Sequence, residues 1–164
     1  WNGTNDRGNT LRRWGGGSKS DDIMNDFKAR CKWGDYSSYS QGNHPPVPSI
    51  NGNSGYDVMY LQASAGSSIQ LDASGCTDPD GDNLSYEWQC YKEISDEIAT
   101  FSSSSSANTT VNIPSGFAPG ETIHLYLRVV DNGTYPLARY KRVVVEYSDV
   151  PVPRVVRTAP ANGE

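Results

Sequence analysis

The strongest constraint on the fold is a period of two in the apolar residues of the central and later parts of the chain. In segment 84–91 apolar or aromatic residues alternate with polar ones, and segments 69–73 and 123–129 repeat the pattern. Successive side chains of a strand point to opposite faces, so this alternation predicts strands with one buried face. About seven such segments follow one another between turn clusters, at 57–63, 69–73, 84–91, 96–101, 111–113, 123–129 and 143–147. We therefore expect an all-β, immunoglobulin-like β-sandwich.

Composition and charge narrow the class of protein further. The chain has 164 residues with 16 Gly, 10 Pro and 10 Tyr but only 2 Met, as is typical of a β-rich extracellular module. The net charge is −5 and the longest basic block is the pair Arg12-Arg13, which argues against a nucleic-acid partner. No apolar run approaches the roughly 20 residues of a membrane-spanning helix. We expect a secreted or cell-surface protein without a membrane span.

The pattern divides the chain into three parts. Residues 1–44 form an arm with one short helix at about 20–33, which begins at Ser20 and carries Ile23, Phe27 and Cys31 on one face. A helix of this length is unstable alone, so we expect that apolar stripe to dock on a larger body. Prolines at 45, 46 and 48 mark the start of the sandwich, 45–147, and the tail 148–164 is extended and contains further prolines.

Four sequence segments resemble a known family. The run from Leu71 to Trp88, LDASGCTDPDGDNLSYEW, resembles the second and third strands of polycystic-kidney-disease-type (PKD) immunoglobulin-like domains. Together with 25–33 (NDFKARCKW), 43–46 (NHPP) and 122–140, it is similar to the C-terminal domain of a cellulose-binding protein family in which a nucleoside-hydrolase-like domain precedes an immunoglobulin-like one. The similarity covers about 11–147 and does not include the hydrolase-like domain. The resemblance implies a PKD-like sandwich that binds polysaccharide without catalysis.

Carboxylates at alternate positions in one predicted loop suggest a metal site. Asp78, Asp80 and Asp82 are spaced as oxygen ligands for a hard cation such as Ca²⁺, and Asp131 should lie at the same end of the sandwich. The alternative is that these residues form Asx turns and only accept backbone N–H groups. Spacing alone leaves both interpretations open.

Side-chain parity predicts a second candidate surface, on the outward face of the third, sixth and seventh strands. Aromatic planes mixed with hydrogen-bonding groups could stack on a polysaccharide or form a protein interface. A plain solvated sheet face explains the pattern equally well. The residues placed there are Gln89, Tyr91, His124, Tyr126, Arg128, Tyr140 and Arg142.

The cysteines and the glycosylation sequons also allow two interpretations each. Cys31 and Cys90 could form a disulfide if the helix packs on the open end of the core, or all three cysteines, Cys76 included, could be buried thiols. Sequons for covalent N-glycans occur at four sites, which are either glycosylated or coincidental in an Asn- and Ser-rich chain. They are Asn2, Asn83, Asn108 and Asn132.

No pattern for a nucleophile and its base is visible around the two histidines, so we expect a protein that is not an enzyme. The first hypothesis is a structural glycoprotein that assembles with copies of itself, as a homo-oligomer or fibre, through its terminal arms. The arm residues that would serve as anchors are Trp1, Leu11, Trp14, Val155 and Val156. The alternative, implied by the resemblance, is a polysaccharide-binding accessory module of a secreted hydrolase-like protein.

Overall fold

The structure, a computed structural model, describes residues 18–149 and contains one α-helix, one short 3-10 helix and nine strands in that part of the chain. Helix α1 spans Ser18–Trp33, and the 3-10 helix spans Tyr39–Gln41. The strands are β1 (Ser49–Ile50), β2 (Asn53–Ser54), β3 (Met59–Ala63), β4 (Ser68–Asp72), β5 (Ser85–Cys90), β6 (Thr100–Phe101), β7 (Asn108–Asn112), β8 (Thr122–Val130) and β9 (Ala138–Tyr147).

The longer strands form two sheets that pack face to face. One sheet has the order β3-β9-β8-β5, in which β3 runs parallel to β9 and the other neighbours are antiparallel. The other has the order β4-β7-β6, and β1 pairs with β2 in a separate hairpin. Two packed sheets of this kind confirm the all-β, immunoglobulin/PKD-like sandwich that the alternation predicted.

The core between the sheets follows the predicted parity. Trp88 of β5 is 1% exposed, and its indole Nε1 donates to the carbonyl oxygen of Ser106 at 2.8 Å. Leu125 and Leu127 of β8 lie in the same core as Ile69 of β4 and Val111 of β7. Every second residue of β4 and of most of β8 is buried, because one face of each sheet is covered by the other sheet.

The strand expected at 96–101 is reduced to Thr100–Phe101. The adjacent loop 102–106 instead folds against β5, where the backbone N–H of Trp88 donates to the carbonyl oxygen of Ser104 at 2.8 Å. This contact covers part of the free edge of the first sheet, which would otherwise expose unpaired backbone groups.

Helix α1 docks with the face opposite to the one that the sequence predicted. Ile23 is 59% exposed and Phe27 62% exposed, whereas Asp22 and Ala29 are buried. The reason is electrostatic, since Asp22 accepts hydrogen bonds from Arg128 on β8 and from Tyr140 on β9. A buried guanidinium needs a partner, and this ion pair turns the polar face of the helix toward the sheet.

Of the two interpretations of the cysteines, the structure shows the free thiols, since Cys31, Cys76 and Cys90 form no disulfide. Cys31 is exposed on the outward face of α1. The Sγ atom of Cys90 is 3.6 Å from Ser95 Oγ, and Cys76 is buried beside the backbone N–H of Ser49. The reversed docking of the helix separates the two residues that the bridge required.

Among residues 18–149, no helix is long and apolar enough to cross a membrane.

Candidate functional site

Three loop segments meet at one end of the sandwich. The turn 78–82 leads into β5, and the loop 131–137 connects β8 to β9. Because Ser85 pairs with Val130, the two loops begin side by side, and the backbone N–H of Asn83 donates to Asn132 Oδ1 at 2.8 Å. The Pro-rich segment that enters the sandwich lies against both loops, through Asn43 and His44.

Asp78 organises the acidic turn. Its Oδ1 accepts the backbone N–H groups of Asp80 at 2.9 Å and Asp82 at 3.2 Å, as an Asx turn does, and Gly81 has a φ of +80° that allows the tight bend. Its other oxygen, Oδ2, is buried and accepts no hydrogen bond. One oxygen from each of Asp78, Asp80 and Asp82 lies within 4.8 Å of the others. The Asx turn therefore explains the contacts of Asp78 Oδ1 but leaves Oδ2 without a partner.

Asp131 is 3% exposed and lies at the same end. Its Oδ1 accepts the backbone N–H groups of Gly133 and Leu137, both at 3.0 Å, and the side-chain amide of Asn43 at 3.1 Å. Its Oδ2 is buried and has no hydrogen-bond partner. A buried carboxylate oxygen without a partner is costly, so this geometry needs a physical explanation.

Asn43 brings a further oxygen to this cluster. The indole Nε1 of Trp33, at the end of α1, donates to the Asn43 carbonyl oxygen at 2.9 Å and so fixes its backbone. The amide Oδ1 of Asn43 is buried and unpartnered. A Cβ atom on Gly133 would collide with that Oδ1 and would lie 2.5 Å from Asp82 Oδ2, so both oxygens converge on the Gly133 backbone.

Like charges and a histidine complete the electrostatics of the cluster. Burial and repulsion from Asp78, Asp131 and Asp80 raise the pKa of the Asp82 carboxyl. The Asp80 carboxylate also accepts the backbone N–H of His44 and contacts His44 Nδ1 at 3.0 Å. Of the four predicted metal ligands, Asp78, Asp80 and Asp82 thus have oxygens within 4.8 Å of one another, and Asp131 lies in the neighbouring loop, where it is bound to Asn43.

A polar pocket of about 360 Å³ opens beside this cluster, and we call it the loop-end pocket. Helix α1 and the turn after it supply aromatic walls, while the two loops supply amide, hydroxyl and carboxylate groups. It is lined by Ala29, Lys32, Trp33, Tyr36, Ser40, Gln41, Gly42, Asn43, Asp80, Asp82, Asn132, Gly133, Thr134 and Tyr135.

Stacked aromatic rings border the loop-end pocket. The ring of Tyr39 stacks on His44 with centroids 3.5 Å apart, and Trp33 lies on His44 with centroids 5.6 Å apart. Tyr39 is nevertheless 69% exposed and Tyr36 is 37% exposed. Both tyrosines, Trp33 and His44 line an adjoining hollow of about 440 Å³. The rings are thus held in place and still open to solvent.

The sheet face that parity predicted is partly covered. Arg128 and Tyr140 are hydrogen-bonded to Asp22 of α1, which raises the pKa of Arg128; burial and then Asp22 raise the pKa of Tyr140. Gln89 accepts a hydrogen bond from Tyr126, while Arg142 bonds to His124. Tyr91 is half-buried, as are most of the other face residues, and Arg142 is exposed. Helix α1 and these contacts between side chains therefore leave only part of the predicted face open to solvent.

The remaining predicted residues are distributed as follows. Asn83 and Asn108 are exposed, and Asn132 is exposed at the rim of the loop-end pocket. Asn2 and the arm residues Trp1, Leu11, Trp14, Val155 and Val156 lie outside the described residues.

The sequence-based reasoning missed two features of this site. It did not identify Asn43 as a contributor of oxygen, or Trp33, Tyr36 and Tyr39 as the aromatic border. Asn43 is far from the acidic loop in sequence, so spacing carried no signal. Only the family resemblance pointed toward segments 25–33 and 43–46.

The comparison with known protein families gives a match within the sandwich. Residues 68–147 match the family described as cellulose-binding protein Sde0182, C-terminal domain.

A solved structure extends the match beyond those residues. It is a nucleoside hydrolase-related hypothetical protein from Saccharophagus degradans that is associated with carbohydrate metabolism, 47% identical with a TM-score of 0.74. The alignment covers 77% of this chain and 31% of that chain. The PKD domain from the KIAA 1837 protein is 21% identical with a TM-score of 0.40 over 60% of this chain and 87% of its own, which is too low to support an argument. No protein with a curated description matches the chain.

Proposed function

We propose that this chain is a non-catalytic carbohydrate-binding module that works outside the cell, and that sugar binds at the loop-end pocket and its aromatic border. The observation that carries the proposal is the position of two exposed tyrosines, Tyr36 and Tyr39, the second stacked on His44, beside a pocket lined by amide, hydroxyl and carboxylate groups.

The chemistry of a sugar ring matches that arrangement. A pyranose has one apolar face that stacks on an aromatic plane and hydroxyl groups that need donors and acceptors at its edge. Tyr39 offers a plane whose inner side is already stacked on His44, so little side-chain freedom remains to be lost on binding. Asn132, Thr134 and Gln41 offer hydrogen-bonding groups in the loop-end pocket, and the Tyr39 plane lines the adjoining hollow.

The family gives independent support. It is named for a cellulose-binding protein, and the S. degradans relative is associated with carbohydrate metabolism. Since this chain spans 31% of that relative, the proposal concerns binding alone and assigns no hydrolase activity.

The test is retention on insoluble cellulose, with soluble cello-oligosaccharides and other plant polysaccharides as further ligands. Tyr36→Ala and Tyr39→Ala should each weaken binding by about tenfold, the equivalent of roughly 1.4 kcal/mol. Tyr56→Ala is the matched control, because Tyr56 is 56% exposed and lines neither hollow. If the wild type and the three variants are retained equally, the sugar does not bind at the pocket. If none of them binds any polysaccharide, the proposed function is wrong.

Self-assembly through the terminal arms stays a prediction, because its anchor residues lie outside the described part of the chain. It is tested by the molecular mass of the full chain in dilute solution. A monomer that binds polysaccharide would contradict assembly into a fibre. Occupancy of the sequons at Asn83, Asn108 and Asn132 by N-glycans is tested by mass spectrometry of the protein from its native source.

A further inference from the structure

We propose that the loop cluster beside the pocket is a calcium site whose protein ligands are Asn43 Oδ1, Asp78 Oδ2, Asp82 Oδ2 and Asp131 Oδ2. The proposal does not depend on sugar binding, because it rests on carboxylate and amide oxygens without a hydrogen-bond partner, although Asn43 and Asp82 also line the loop-end pocket.

Unpartnered oxygens carry the argument. Within residues 18–149, the buried side-chain atoms without a hydrogen-bond partner are Asn43 Oδ1, Asp78 Oδ2 and Asp131 Oδ2. All three belong to this one cluster. The Asp131 side chain is the decisive one, since it is 3% exposed and its other oxygen is already saturated by three donors. Native proteins leave few buried polar atoms without a partner, and a bound ion is one explanation for those that remain.

The geometry brings Asn43 Oδ1 and Asp82 Oδ2 together beside Gly133, next to Asp78 in the same turn and to Asp131, which is bound to Asn43. The amide of Asn43 donates to Asp131 Oδ1 at 3.1 Å, which directs Asn43 Oδ1 to the other side of the same amide, near Asp82 Oδ2 and the Gly133 backbone. The turn that places Asp78 and Asp82 is closed by the backbone N–H of Asp82 donating to Asp78 Oδ1. Glycine at 133 leaves open the space into which both oxygens project.

The charges have no protein counter-ion. In the described part of the chain, the salt bridges join other carboxylates, and no Lys or Arg pairs with Asp78, Asp82 or Asp131. Neighbouring carboxylates without a counter-ion repel one another, and this repulsion contributes to the raised pKa of Asp82. A divalent cation bound at the acidic turn would offset the repulsion and give the unpartnered oxygens around it a partner.

The chemical type of the ligand atoms indicates which ion would bind. All four ligands are oxygens, one neutral and three anionic, which suits a hard cation and excludes the softer metals that prefer nitrogen or sulfur. Ca²⁺ accepts roughly six to eight oxygens in irregular geometry, whereas Mg²⁺ demands a near-ideal octahedron and keeps several waters. The side chains come from three separate segments, and such a cage fits Ca²⁺ better.

The experiment is a titration of the full chain, stripped with chelator, with CaCl₂, followed by thermal unfolding and by calorimetry. We expect a dissociation constant on the order of 10⁻⁴ M, as in other modules with few charged ligands. At about ten times that concentration the unfolding midpoint should rise by roughly 3–6 °C. MgCl₂ at the same concentration should give a clearly smaller rise.

The variant Asp131→Asn distinguishes two possible roles of Asp131, as a metal ligand and as an acceptor of structural hydrogen bonds. The variant keeps an oxygen for the three donors and removes one negative charge. If Asp131 binds calcium, the variant in chelator should be as stable as the wild type or more stable, and its response to Ca²⁺ should be lost. Asp72→Asn is the matched control, because Asp72 accepts the backbone N–H of Ser74 in the same kind of turn but is exposed and outside the cluster.

Several outcomes would overturn the proposal. These are a wild type that shows no shift or heat with millimolar Ca²⁺, an equal response to Mg²⁺, and an Asp131→Asn protein that responds to Ca²⁺ like the wild type. Should Asp131→Asn fail to fold, Asp82→Asn takes its place. It must lose the calcium response for the proposal to stand.

Discussion

At the residue scale, His124 on β8 is held in its neutral form. Its Nδ1 bonds to the guanidinium of Arg142, and its Nε2 lies 3.1 Å from Thr122 Oγ1. A neutral ring can accept at Nδ1, whereas a protonated ring cannot and would also repel Arg142. Burial and the charge of Arg142 lower the pKa of His124, and Asp96 opposes this shift in part.

The lowered pKa predicts a loss of stability in weak acid. Between the folded pKa and the unfolded value near 6.5, the unfolded chain binds more protons, so the free energy of unfolding decreases as the pH falls through 6.5. Urea unfolding of wild type and His124→Gln from pH 8 to pH 5 measures this effect. The free energy of unfolding should depend less on pH in the variant than in the wild type over that interval. An equal dependence in the two proteins would contradict the prediction.

At the element scale, the docking of α1 depends on one ion pair. The carboxylate of Asp22 bonds to Nε of Arg128 at 2.7 Å and accepts from Tyr140, and both charged side chains are largely buried. Asp26 lies one turn further along and bonds to Arg139 at 3.2 Å. These contacts hold the helix so that Trp33 reaches the Asn43 backbone. The helix therefore helps to position Asn43 in the loop cluster, although its own side chains make up little of that cluster.

Asp22→Ala should release the helix from the sheet. Removing one partner of a buried pair leaves the other charge unsatisfied, and we expect a loss of about 3 kcal/mol, at the lower end of the usual range because Glu87 also contacts Arg128. A helix this short is unstable without its docking surface, so amide hydrogen exchange in residues 20–33 measures the loss. Asp21→Ala is the control, since Asp21 is its exposed neighbour. Equal exchange in the two variants would show that the pair does not hold the helix.

At the scale of the whole molecule, the calcium cluster and the loop-end pocket share residues. Asn43, Asp82 and Gly133 belong to both, so an ion that ordered the proposed calcium site would also order part of the pocket wall. Two ligands that stabilise the same arrangement bind with positive coupling, and that coupling is reciprocal.

Retention on polysaccharide should therefore depend on calcium. We expect affinity to fall by about fivefold or more when Ca²⁺ is replaced by chelator, within the usual range of coupling between sites. Asp82→Asn should bind equally in both conditions. If the wild type binds both Ca²⁺ and polysaccharide but retains the polysaccharide equally with and without the ion, the two sites are uncoupled.

The sequence by itself determined the features that depend on local periodicity. The faces of β4, β5 and β8, the burial of Trp88, the extent of α1 and the acidic turn all follow from spacing within a few residues. Such spacing is readable because an extended or helical backbone fixes where each neighbouring side chain points.

The tertiary structure alone decided which surfaces meet. The sequence of α1 alone favours docking through its apolar stripe. In the structure, Asp22 pairs instead with Arg128, which lies more than a hundred residues away in sequence, and this pair turns the apolar stripe toward solvent. The same reversal separated Cys31 from Cys90 and covered part of the sheet face. Asn43 joined the acidic cluster because Trp33 and Asp131 hold it there. These outcomes depend on pairings between distant segments, whose energies no local pattern encodes.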